Sequence, residues 1–154
     1  MGTKFNSQIC TSREQSERLI ALGLKRETAD MYYSYDIICA KPYYKVMEFM
    51  NGCAPEVIFP AWSLHRLIEM MPNNIHKYND IADLSVSNEL VQYRFYDVDY
   101  NHDICVEHFN DGTLFDNIID CIEWLIKEGY FNKEYLVNQA EVDEHCKGVL
   151  EYLD

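Results

Sequence analysis

Between Thr113 and Gly129 the sequence reads TLFDNIIDCIEWLIKEG, and this stretch limits the possible folds more than any other. Phe115, Ile118, Ile119, Ile122, Leu125 and Ile126 recur at three- and four-residue spacing, which lines them along one face of an α-helix. Asp116, Asp120, Glu123 and Lys127 fall on the opposite face. Thr113 is placed to cap the free N–H groups of the first turn, and Asp116 sits where the helix dipole favours an anion. Gly129 supplies the left-handed residue at which such helices stop. Burial of those six side chains corresponds to about 10 kcal/mol of gross transfer free energy, so the helix requires an apolar surface to cover it.

That surface is expected just upstream, where the periodicity changes from helical to alternating. Ala82 to Ser87, Leu90 to Val98 and Asp103 to Phe109 are rich in β-formers and read as three strands. Asn88 and Glu89 allow a tight turn between the first two, and Asp99, Tyr100, Asn101 and His102 form the second. Val91, Tyr93 and Phe95 then share one face, as do Ile104 and Val106. The pattern predicts an α+β fold: an antiparallel sheet of three to five strands with helices packed on one face.

The N-terminal third is less regular. Thr3 to Cys10 reads as extended, and Thr11 with Glu14 reads as a capping box for a helix carrying Leu19, Ile20 and Leu22 and ending near Gly23. Lys25 to Tyr33 is expected to form a second helix. Two helices around a glycine resemble a DNA-reading pair, but only Lys25 and Arg26 offer cations there, so packing is the better account. Ile37, Ile38 and Cys39 centre a strand in the aromatic run YYSYDIICAKPYY, with Pro42 at its edge. After the short apolar segment Val57 to Ala61, Ser63 caps a helix carrying Leu64, Leu67, Ile68 and Met71 and stopped by Pro72. Asn132 is expected to cap a final helix through Leu136, Ala140, Cys146, Val149, Leu150 and Leu153.

At 154 residues with 48% hydrophobic content, the chain is expected to form a single domain, residues 1–154. The formal charge is −13, from 26 acidic and 13 basic residues, and the acids read as dispersed. Such a balance repels phosphate backbones, which argues against direct nucleic-acid binding, and suits a basic protein partner. No run reaches the length of a membrane span and no leader pattern opens the sequence, so no membrane partner and a cytoplasmic location are expected. The six cysteines show no Cys-x-x-Cys spacing and are expected to be reduced and mostly buried.

Metal and catalytic constellations fail at defining positions. Asp97, Asp99, Asn101 and Asp103 imitate the start of a calcium loop, but His102 replaces the turn glycine and His108 the closing glutamate. His102, Cys105 and His108 lie three apart on a strand, so Cys105 cannot join both histidines without a bulge. No phosphate-cradling glycine loop or nucleophile elbow occurs, and no metal, cofactor or catalytic residue is assigned. Two clusters remain as candidates for a small anionic ligand such as a nucleotide. Trp62, Ser63, His65 and Arg66 surround a helix N-terminus, where unpaired N–H groups attract anions. Lys41, Tyr43, Tyr44 and Lys45 combine cations with stacking faces.

The segments FNSQICTSREQSERLIALGLKRETADM, VIFPAWSLHRLIEMMP and DNIIDCIEWLIKEGYF carry a resemblance. They are similar to those of a family of small uncharacterised acidic proteins from gut bacteria, their phages and other mobile elements. The resemblance covers somewhat under half the chain, and its most specific phrases are PAWSLHRLIEMMP and CIEWLIKEGY. It implies a genetic context in which small proteins bind a host component. The expectation is therefore a non-catalytic binder sequestering a small anionic host ligand in counter-defence. The alternatives are an acidic inhibitor masking a basic host protein, or an enzyme using an unrecognised Cys or His. Oligomeric state is left open.

Overall fold

A computed structural model describes residues 7–35, 37–49, 58–77 and 79–138. Its elements run α1 (Arg13–Ala21), a 3-10 turn (Arg26–Thr28), β1 (Met31–Ser34), β2 (Ile37–Cys39), α2 (Tyr43–Phe49), β3 (Ile58–Ala61) and α3 (Leu64–Met70). They continue with β4 (Asn74–Lys77), β5 (Asp80–Val86), β6 (Val91–Asp97), β7 (His102–Phe109), α4 (Leu114–Glu128) and a second 3-10 turn (Lys133–Tyr135). The fold is mixed α+β. A four-stranded antiparallel sheet is ordered β4-β5-β6-β7, and a three-stranded antiparallel sheet is ordered β2-β1-β3.

The long helix is α4, capped by Thr113, whose hydroxyl accepts from the N–H of Asp116, and closed by Gly129 at φ 79°. Phe115, Ile118, Ile119, Ile122 and Leu125 are buried, and Ile126 packs against the same core from a partly buried position. They are covered by β6 and β7 of the four-stranded sheet. Ile75, Ala82, Val91 and Tyr93 are buried on that face, with Leu84, Phe95, Val106 and Phe109 partly buried beside them. Ile81, Arg94 and Cys105 are exposed, so the sheet carries its helix on one side and meets water on the other. A β-bulge at Tyr93 and Arg94 shifts the register against β7, so that Arg94 pairs with Cys105 while Tyr93 pairs with Glu107.

Asn117 is fully buried on α4, in the middle of this apolar layer. Its side-chain oxygen accepts from Gly112 N–H at 2.9 Å, and its amide nitrogen donates to the carbonyls of Glu89 and Gly112, each at 3.0 Å. One side chain thereby ties the β5–β6 turn and the β7–α4 connection to the helix.

Several expectations are corrected. The capping box of α1 is Ser12 with Gln15, one residue later than Thr11 with Glu14. Thr11 is instead buried, hydrogen-bonded to Ser16 at 2.7 Å and accepting from the Trp62 N–H at 3.1 Å. Lys25 to Tyr33 is a single 3-10 turn followed by β1. The Thr28 hydroxyl donates back to the Lys25 carbonyl, and the β-forming residues Met31–Ser34 pair with both β2 and β3. Tyr43 to Phe49, for which the sequence predicts no element, is helical, and β4 joins the meander as a further strand. The second turn of the meander spans residues 98–101, and His102 already belongs to β7. Asn132 caps only the 3-10 turn Lys133–Tyr135, and Leu136 bridges back to Leu24. The remainder of that expected helix, from residue 139, lies outside the described residues, as do Thr3–Asn6, Val57, Cys53 and Cys146.

Candidate functional site

The two sequence-defined clusters converge on one segment, Thr28 to Asp30, which follows the first 3-10 turn. From one side, the Arg66 guanidinium donates its Nε–H to the Thr28 carbonyl at 2.8 Å. From the other, the Tyr43 N–H donates to the Ala29 carbonyl at 3.1 Å. Between them, Asp30 reaches the start of α3. Its carboxylate accepts from the Ser63 N–H at 2.9 Å and from the Ser63 hydroxyl. The Ser63 oxygen in turn accepts from the Arg66 N–H at 3.2 Å, which completes the N-terminal cap. The chain's own Asp30 thus places a negative charge where the helix terminus attracts one.

Trp62 is fully buried. Its indole N–H donates to the Thr28 hydroxyl at 3.0 Å, and its backbone exchanges hydrogen bonds with Thr11. This ring fills the core and offers no face for a stacked base. Arg66 is about a quarter exposed, with its guanidinium 3.0 Å from Glu69 and its Cζ 5.7 Å from the Tyr135 ring centroid. His65 points to solvent, its Nε2 lying 3.6 Å from Glu69. On α2, Tyr43 is buried, whereas Tyr44 and Lys45, together with Lys41 just before the helix, are exposed. Of the eight predicted positions, the open ones are therefore His65, Lys41, Tyr44 and Lys45. The others close the fold around Thr28 and Asp30. Asp30 and Thr28 were not legible as site residues, because their partners lie more than thirty positions away.

The expectation of mostly buried thiols is met by two of the four described cysteines, since Cys39 is half-buried and Cys105 is exposed. Cys10 and Cys121 are buried, and burial pushes both upward, Cys121 to about 12 with help from the charges of Glu107 and Asp120. The Tyr33 hydroxyl lies 3.4 Å from Cys10 Sγ and donates to the Thr11 carbonyl at 2.8 Å. Its ionisation is likewise pushed up, mainly by burial. Among the described residues no three His, Cys, Asp or Glu side chains are grouped to hold a metal ion, and no helix is long and apolar enough to cross a membrane. At the calcium-like sequence, the Asp97 carboxylate accepts from the N–H groups of Asp99 and Tyr100, which shapes the hairpin turn.

Charge is distributed unevenly over the structure, contrary to the dispersed pattern expected from the sequence. Residues 7–49 hold six acids and six cations, whereas residues 80–128 hold twelve acids against Arg94 and Lys127. That second stretch is the unit built from β5, β6, β7 and α4. Asp103 pairs with Arg94 at 3.2 Å, and Asp120 and Glu123 both meet Arg18 of α1, at 2.6 and 2.8 Å. Gln15 donates to Asp116 at 2.7 Å. Asp80, Asp83, Glu89, Asp97, Asp99, Glu107, Asp111 and Glu128 form no ion pair among the described residues. Exposed apolar groups share this end of the molecule: Ile81, Tyr96, Val98 and Tyr100 are 52%, 55%, 81% and 74% exposed.

Comparisons with protein-family models, with curated proteins and with solved structures return no match.

Proposed function

We propose that the protein is a non-catalytic binder of a basic protein partner, with the unit of β5, β6, β7 and α4 as its contact half. The observation that carries this reading is the concentration of carboxylates on that unit, twelve acids against two cations, of which Asp103, Asp120 and Glu123 are ion-paired among the described residues, while residues 7–49 are balanced. Association with a cationic surface gains from such a field in both encounter rate and discrimination against acidic partners. The exposed Ile81, Tyr96, Val98 and Tyr100 add apolar contact area within the same region. The resemblance to proteins of phages and mobile elements fits a role in which a host protein is masked, as in counter-defence.

A second reading, sequestration of a small anionic ligand such as a signalling nucleotide, is favoured by the exposure of Lys41, Tyr44 and Lys45 at the start of α2. Two measurements separate the readings. Capture from host lysate should retain a basic protein at low salt and release it at high salt. Replacing Asp80, Glu89, Asp97 and Asp111 by lysine should abolish that capture, whereas reversing Glu14 and Glu17 on α1 should leave it intact. Equal retention by both variants would remove the basic-partner reading. A rise in thermal stability with one member of a nucleotide panel, lost on Lys41→Ala/Lys45→Ala substitution, would replace it by the second.

A further inference from the structure

We propose that β7 is a docking edge, onto which an extended basic segment of a partner protein adds as a fifth strand of the four-stranded sheet. The proposal rests on the basic-partner reading and names the form in which that partner is recognised. In the strand order β4-β5-β6-β7, β7 is an outermost strand with one neighbour, β6. It is eight residues long, His102–Phe109, which gives an edge of about 26 Å at the usual rise per residue. Among the described residues, its backbone pairs only with β6. The one further bond made by its N–H groups shows which way the edge faces. His108 N–H donates to the carboxylate of the adjacent Glu107 at 3.2 Å, turned off the ladder and satisfied by a side chain. Backbone groups in that position are the template for strand addition.

The side chains of β7 specify what kind of strand fits. On the wet face stand Asp103, Cys105 and His108, all exposed. Toward the core lie Ile104, Val106 and Phe109, partly buried and continuous with the layer under α4. Carboxylates surround the edge: Glu107 on the strand, Asp97 at the end of β6, Asp99 in the turn that follows it, and Asp111 just beyond the end of β7. Asp103 is partly compensated by Arg94, while the other four meet no cation among the described residues. A second copy of this chain, itself at −13, would bring the same acids against these, so charge disfavours pairing of two β7 edges. A strand alternating lysine or arginine with aliphatic residues satisfies both faces. Its cations lie on the face of Asp103 and toward the acids at the two ends of the edge, its aliphatic side chains extend the row of Ile104 and Val106 beside Glu107, the cross-strand partner of Tyr93, and its carbonyls take the outward N–H groups, releasing Glu107 from His108.

The test uses the full chain and a labelled peptide of about ten residues in which lysine and valine alternate, with fluorescence anisotropy as the readout. Two derivatives carry backbone N-methyl groups, one on every lysine and the other on every valine. In an extended strand these two sets of N–H groups point to opposite edges, and all three peptides have the same charge. Strand addition predicts that one derivative binds like the parent and the other at least about tenfold more weakly, because it loses several ladder hydrogen bonds. It also predicts slowed hydrogen exchange at Asp103, Cys105 and His108 on binding of the parent peptide. Equal binding of all three peptides, still weakened by salt, would overturn the docking edge and leave the acidic contact surface in place. Absence of binding by the parent peptide, and by a basic peptide of scrambled pattern, would remove both.

Discussion

Asn117 shows most directly how a single residue can carry a disproportionate share of the structure. Its replacement by alanine leaves the Gly112 N–H and the carbonyls of Glu89 and Gly112 without their partner and empties a fully buried position. Urea denaturation of Asn117→Ala should therefore report a loss of about 2 to 4 kcal/mol. Asp116 makes a different kind of contribution. Hydrogen bonds from Gln15 first, then from Thr113, hold its carboxyl below the usual range. A depressed folded-state value stabilises the fold above the unfolded value, about 3.9, and that contribution disappears as pH falls through the folded value. Thermal melts between neutral pH and about pH 3 should show a shallower acid limb for Asp116→Asn than for the parent. An acid limb of unchanged slope would mean that the Gln15 contact is not maintained in solution.

At the scale of elements, two positive-φ residues mark where local chemistry helps or opposes the fold. Gly129 ends α4 at φ 79° with nothing within 4 Å of where a Cβ would sit, so Gly129→Ala isolates the backbone cost. A loss of about 1 kcal/mol is expected in the same denaturation assay. Tyr35, in the turn between β1 and β2, has φ 55° although it is not glycine, and it is 70% exposed. Tyr35→Asn should stabilise the hairpin by about 0.5 to 1 kcal/mol, since asparagine tolerates the left-handed region better. The Arg13 guanidinium donates to the Tyr35 carbonyl at 3.1 Å and helps hold that turn. The start of α3 is the other instructive element. A serine before a helical run reads correctly as a cap, but the anion it attracts is supplied by Asp30, thirty-three residues earlier.

For the whole molecule, the governing feature is a balanced N-terminal part joined to a strongly acidic sheet-and-helix unit. Arg18 bridges the two by reaching Asp120 and Glu123 at once, although all three side chains are at least a third exposed and each bridge alone contributes little. A net charge of −13 imposes self-repulsion that salt screens. The melting temperature at neutral pH should therefore rise with added sodium chloride. The rise should shrink in the variant in which Asp80, Glu89, Asp97 and Asp111 are reversed. An identical salt response in both proteins would show that these carboxylates do not repel one another in the folded state.

The long helix, its cap and stop, the three strands after residue 80 and the turn at Asn88 were all legible in the chain, because each depends on neighbours within a few residues. Local periodicity and capping chemistry decide such elements before any long-range contact forms. The Lys25–Tyr33 segment was not legible, since β pairing on both sides of β1 overrides a weak helical preference. Nor could the fate of Trp62, Ser63 and Arg66 be read, because their partners Thr11, Thr28 and Asp30 are distant in sequence. The sequence by itself determined that α4 needs an antiparallel roof. Only the tertiary structure decided that the anion at α3 is internal and that β7 is left as an edge, since both follow from which strands and side chains meet across the fold.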